Sequence, residues 1–239
     1  MFNKSLVVAK TNFRNIKVSY IVTAIIVGCI IIQDVVFLIL DATGVFSNTN
    51  PEGNMNVSLG NLFFFLIIHS AIFIPAANFR RMMNLGGKRA NFFYGCILTY
   101  VIMAAVISLV SIILYYTYDR FMISQFYRGG TMDVLYWFGW IGNGPVIAFF
   151  QQFAFLFLFA VVIHTLAATQ DKWYGWFADI IIVAIISVFT PIAPLRASLV
   201  WFFNLIIFHS NAFVQIFACL ILALAVYSLN KLIFARKII

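Results

Sequence analysis

The chain has 239 residues, of which 64% are hydrophobic and only 9% charged, with a formal net charge of +8. A soluble domain carries roughly 25% charged residues, so this composition cannot make a water-facing surface, and lipid must be the solvent for most of it. The basic excess sits at the ends of apolar runs, which sets aside a nucleic-acid partner and points to membrane topology.

Residues 1–17 come first. Phe2, Leu6, Ala9, Phe13, Ile16 and Tyr20 recur at steps of three and four, with Lys4, Lys10, Arg14 and Asn15 between them. That spacing predicts an amphipathic helix lying in the membrane interface. No cleavable signal is expected, because no small-residue cleavage site follows the first apolar run.

Apolar runs at about 18–40, 59–79, 95–116, 145–166, 176–195 and 212–233 follow. A hydrocarbon core of ~30 Å needs about 20 helical residues, so each is read as a span. Residues 41–58 form a polar loop with Pro51, and Asn56-Val57-Ser58 is formally a glycosylation sequon. Residues 80–94 are basic, 117–144 are rich in Tyr and Trp, and 167–175 form a short turn. The fifth run closes at Pro191 and Pro194. Residues 197–211 are apolar but too short to cross alone, which predicts a short re-entrant or outer helical segment. The expected fold is an all-α integral membrane protein, a single transmembrane domain over 1–239 with six transmembrane helices.

Charge sets the orientation. Lys4, Lys10, Arg14, Lys17, Arg80, Arg81, Lys88, Arg89, Lys172, Lys231, Arg236 and Lys237 fall on one side of these spans. Arg120, Arg128 and Arg196 fall on the other. The positive-inside rule places the richer side, and both termini, in the cytoplasm.

The catalytic motifs are missing. Gly87-Lys88 is followed by Arg89, so there is no phosphate loop, and neither Gly-x-Ser-x-Gly nor His-Glu-x-x-His occurs. His69, His164 and His209 are scattered, and Cys29, Cys96 and Cys219 lie inside apolar runs without metal-site or disulfide spacing. No catalytic residue, metal or cofactor is expected in this chain.

Polar groups inside a bilayer are costly and face the bundle interior or a cavity. Here they are Asp34, His69, Gln151, Gln152, His164 and Asp179. Asp34 and Asp179 stand near span ends, within reach of headgroups, and Gln151 and Gln152 suit helix-to-helix hydrogen bonds. Phe63, Phe64, Phe65, His69 and Phe189 are the expected wall of a cavity for a hydrophobic or peptide cargo.

The basic stretch is the strongest functional signal. Arg80, Arg81, Met82, Met83 and Leu85 lead to Gly86-Gly87, which breaks the helix. Lys88 and Arg89 resume the charge, and Phe92, Phe93 and Tyr94 re-enter the interface. It reads either as an ordinary basic loop or as a coupling helix, a rigid knob gripped by a separate nucleotide-hydrolysing subunit.

With the interfacial helix at 2–17, the six runs, Leu85-Gly86-Gly87-Lys88-Arg89 and the apolar stretch 197–211, the whole chain resembles the permease subunits of ABC transporters of the second exporter type. Its short length resembles the small Gram-positive branch, which includes phenol-soluble modulin exporters and lantibiotic-immunity permeases. The family often has Gly, a small residue and then Ser or Thr before the basic residue, where this chain has Gly86, Gly87, Lys88 and Arg89. The resemblance implies a bacterial cytoplasmic membrane protein. It implies an ABC ATPase subunit that carries ATP and magnesium and meets the N-terminal helix and the basic loop. It also implies a second permease, identical or paralogous, packed through the first and fifth spans. Two other readings stand beside it: a proton-driven secondary carrier working through His69 or Asp34, and a non-transporting immunity or assembly protein.

Overall fold

A computed structural model describes residues 2–44, 56–125 and 131–236, helical almost throughout. The main helices are α1 (Phe2–Asn15), α2 (Lys17–Ala42), α3 (Leu59–Asn84), α4 (Arg89–Met122), α5 (Pro145–Thr169), α6 (Trp173–Phe189), α7 (Ala193–Phe203) and α8 (Ala212–Arg236). Five of them, α2, α3, α4, α5 and α8, are long and apolar enough to cross a membrane. A sixth is added when α6 and the bent helix after it count as one broken span. The molecule thus has the architecture of a multi-pass membrane protein. Pro51, Arg128 and Lys237 lie outside the described residues.

Helices α3, α4, α5 and α8 form the centre, with α1 laid against α4. Gln151 near the start of α5 meets Gln215 near the start of α8, and Asn230 meets Thr165 near their ends. The two helices therefore run side by side in the same direction. Ala154 and Ala160 of α5 and Ala223 of α8 are small and fully buried, which suits close packing. Between them the chain passes through α6 and then turns by 117° into the helix at 193–208. No residue of Ala193–Phe203 is buried, and Gly175 alone is buried in α6.

Three boundaries differ from the sequence reading, each for a local reason. The second span does not stop at 79. Its helix continues to Asn84, because Phe79 and Met83, one turn apart, remain buried. The third span begins at Arg89 rather than 95, so the expected loop 80–94 shrinks to a turn at 85–88 joining two helices. No separate coupling helix lies between them. The fifth span ends at Phe189, ahead of Pro191. Pro194 sits in the first turn of the next helix, where its missing N–H costs nothing.

Helix α3 also carries a wide π-type turn at Ile74–Asn78. Its buried residues recur in steps of four: Ile67, Ala71, Pro75, Phe79 and Met83. In a regular α-helix each such step drifts by ~40° around the axis. The wide turn takes up that drift and keeps one face on the core. Pro75 favours it, having no N–H for the usual ladder.

The buried face of α1 matches the predicted stripe only in part, at Ala9 and Ile16, with Phe13 and Tyr20 packed against the core. Ser5, Val8, Ala9, Asn12 and Ile16 are buried, whereas Leu6 is 45% exposed. In lipid an apolar side chain has little reason to turn inward, so small residues and hydrogen bonds choose the contact face. Gly95 makes the contact possible, since a Cβ there would lie 2.4 Å from Cγ1 of Val8.

At the end of the bundle away from the 85–88 turn, Asn56-Val57 pairs in parallel with Thr131-Met132. The Ser58 hydroxyl donates to Asp119 at 2.6 Å, and Asp133 accepts from the Leu135 amide at 2.7 Å. Burial pushes the Asp133 carboxyl above its usual range, against the hydrogen bonds that favour its charged form. A raised carboxyl binds its proton more tightly in the folded state. Its contribution is therefore present at low pH and lost as pH rises through the folded value. Asp133→Asn, which keeps an acceptor oxygen for Leu135, is expected to flatten this dependence. Thermal unfolding of the detergent-solubilised protein at mildly acidic and neutral pH checks it, and an unchanged slope refutes it.

Candidate functional site

The basic turn ends α3 in a motif that glycine makes possible. The Gly86 amide donates to the Met83 carbonyl and the Gly87 amide to the Met82 carbonyl, both at 2.9 Å. Gly86 has φ +79°, the left-handed conformation that closes a helix in this way. A Cβ on Gly87 would lie 2.8 Å from the Met82 carbonyl oxygen, so this position is restricted as well. The apex projects: Arg80, Arg81 and Lys88 are exposed, and Leu85 is 81% exposed between them. Met82 and Arg89 are half-buried, and Met83 is buried beneath. Arg80 pairs with Asp171 at 3.2 Å, which places the 170–172 turn at the same end of the bundle. Both partners are solvent-accessible, so the pair fixes position more than it adds stability.

Under this turn lies a buried chain of amides that the sequence reading did not single out. Asn15 donates to Asn78 at 2.9 Å, Asn78 donates to Asn12 at 3.0 Å, and Asn12 donates to Thr99 at 3.2 Å. Thr99 in turn donates to the Gly95 carbonyl at 2.8 Å. Asn12, Asn78 and Thr99 are 0–2% exposed. The chain ties α1, the wide turn of α3 and α4 into one unit directly behind the turn. Phe79, Phe92 and Phe234 stack beside it, and the Tyr227 hydroxyl donates to the Phe93 carbonyl at 2.6 Å, which adds α8. Two asparagines inside apolar segments were a visible signal, but their pairing needs the fold.

The second feature is a groove of 620 Å³ bounded by α2, α3 and α4, with Phe13 of α1 at one end. Phe63 lines it, together with Tyr20, Gly28, Met103 and Val110. Phe64, Phe65, His69 and Phe189 are not among its lining residues, so the structure gathers one of the five expected wall residues there. Phe65 is 66% exposed, and His69 is exposed with Nδ1 2.8 Å from the Ser19 hydroxyl. Phe189 stands at the end of α6.

Four of the other intramembrane polar groups have partners inside the bundle, whereas the buried side-chain oxygen of Gln152 has none among the described residues. His164 lies 2.6 Å from the Tyr100 hydroxyl, Gln151 bonds Gln215 and accepts from Asn143, and Asp34 accepts from Tyr118. Asp179 accepts from Gln170 at 2.6 Å. Gln152 is buried. Among the described residues no group of His, Cys, Asp or Glu is placed to hold a metal ion. No family model matches the chain, and neither a curated protein nor a solved structure matches it.

Proposed function

We propose that this chain is the membrane-spanning permease subunit of an ATP-driven ABC exporter, coupled to a separate ATPase subunit that carries ATP and magnesium. One observation carries the reading: a cationic tip with an outward Leu85 stands on a buried hydrogen-bonded unit of three helices. Such a tip offers a partner both charge and an apolar anchor. Its rigid mount passes a push on the tip into α3 and α4 together. The tip takes the coupling role as a tight helical hairpin, with no added helix.

In this reading the basic end faces the cytoplasm of a bacterial cell, as the distribution of Lys and Arg supports. The cargo is a hydrophobic compound or an amphipathic peptide, in keeping with the apolar groove and the sparse charge along the spans. A second copy, or a paralogous permease, packs against α2 and α6. Only 11% of the apolar stretch of α2 is buried within the chain, and α6 is exposed almost throughout, which supports a partner there.

The test is co-expression with an ATPase encoded beside this chain. Replacing Arg80, Arg81, Lys88 and Arg89 with alanine is expected to lower the co-purified ATPase about tenfold, equal to about 1.4 kcal/mol of binding. Leu85→Asp should act in the same direction. Undiminished association of both variants, with undiminished export, would overturn the assignment.

A further inference from the structure

The groove between α2, α3 and α4 points to a ligand of its own. On α2 the lining residues Tyr20, Thr23, Val27, Gly28 and Ile31 share one face. Ile21, Ile25, Ile32 and Val36 are exposed on the others. The groove is therefore distinct from the outward surface offered to bulk lipid or to a second copy. From Tyr20 to Ile31 it extends ~16 Å at 1.5 Å per helical residue. Half of a ~30 Å hydrocarbon core is about the same length, the reach of one acyl chain in one leaflet.

Its two ends differ. Ile31 and Val110 line one end with hydrocarbon. At the other, Arg14 and Lys17 are exposed, and Tyr20 lies one turn after Lys17 on the same side. The Tyr20 hydroxyl is buried without a hydrogen-bond partner among the described residues. A donor left so in a membrane interior is costly, and an oxygen-rich ligand would remove that cost.

We propose that this groove holds one acyl chain of an anionic glycerophospholipid. Its phosphate lies against Arg14 and Lys17, and an ester or phosphate oxygen accepts from Tyr20 once the ring turns its closed-off hydroxyl toward the groove. Basic pockets between spans recognise anionic headgroups by the same chemistry. The volume of 620 Å³ falls within the about 300–1,000 Å³ of small-molecule sites.

The experiment reconstitutes the full chain in bilayers of equal parts phosphatidylglycerol and phosphatidylcholine. After extraction in mild detergent, retained lipid per chain is measured by mass spectrometry. Gly28 is the place to fill the groove, because a Cβ there meets nothing within 4 Å. Gly28→Leu is expected to lower retained phosphatidylglycerol about tenfold, or about 1.4 kcal/mol. Ala24→Leu is a second filling variant. Ile25→Leu on the outward face should change nothing. Tyr20→Phe should lower retention several-fold, whereas removing a hydroxyl with no ligand would leave it unchanged. Arg14→Gln with Lys17→Gln should abolish the preference for phosphatidylglycerol over phosphatidylcholine. Equal retention by the wild type and both filling variants overturns the proposal. So does a retained ratio equal to that of the bilayer, or a disulfide between copies through Gly28→Cys, which would mean that a second chain covers the groove. No ATPase takes part, so the outcome is independent of the permease assignment.

Discussion

Asn78→Leu is expected to cost roughly 1–3 kcal/mol, because it strands the buried side-chain oxygen of Asn12, whereas half-buried Asn15 can turn to water. Asn12 loses the donor to its side-chain oxygen, and Asn15 loses its acceptor. The low dielectric that makes such a chain strong when complete makes it costly when broken. Asn78 faces inward beneath the tip. The variant should therefore lower the melting temperature in detergent and weaken export while the ATPase still co-purifies. The alanine variants of the basic quartet should behave in the opposite way, with loss of association and little change in melting. Loss of association by Asn78→Leu at unchanged melting temperature would refute the mount as described.

The second large effect concerns α1. Gly95→Ala is expected to cost roughly 1–3 kcal/mol by overpacking and to lift the N-terminal helix from α4. The new Cβ would lie 2.4 Å from Cγ1 and 2.5 Å from Cβ of Val8. Val8→Ala removes only the first of these clashes, so it should rescue poorly, whereas Val8→Gly removes both and should rescue well. A double-mutant cycle separates the two cases. Amide hydrogen exchange over residues 5–12 reports the displacement. Unchanged protection in Gly95→Ala would show that α1 is not seated as closely as the structure has it.

The spans and the basic turn were legible in the sequence, because hydropathy and charge are one-dimensional signals that lipid reads directly. Helix ends were harder. The charges of Arg80 and Arg81 mark the end of the second span in the sequence, yet charge ends a membrane crossing without ending a helix. Gly86 is what stops α3. The contact face of α1 was legible at Ala9 and Ile16 but not at Ser5, Val8 and Asn12, for a related reason. A stripe of Leu6 and Phe13 marks a core in water, but inside a membrane Asn12 and the absent side chain of Gly95 decide the packing. Of the groove only Phe63 was legible, since Tyr20, Phe63 and Val110 come from three helices far apart in sequence.

The wide turn at Ile74–Asn78 has a consequence for length variation. A residue deleted from a regular helix swings everything beyond it by ~100°. A residue deleted within this turn would instead relax it to ordinary winding and leave Phe79 and the cationic tip aimed nearly as before. Single-residue deletions in this span should therefore survive selection at 74–77 and fail elsewhere, at Asn78 included. A scan of single-codon deletions would map that tolerance.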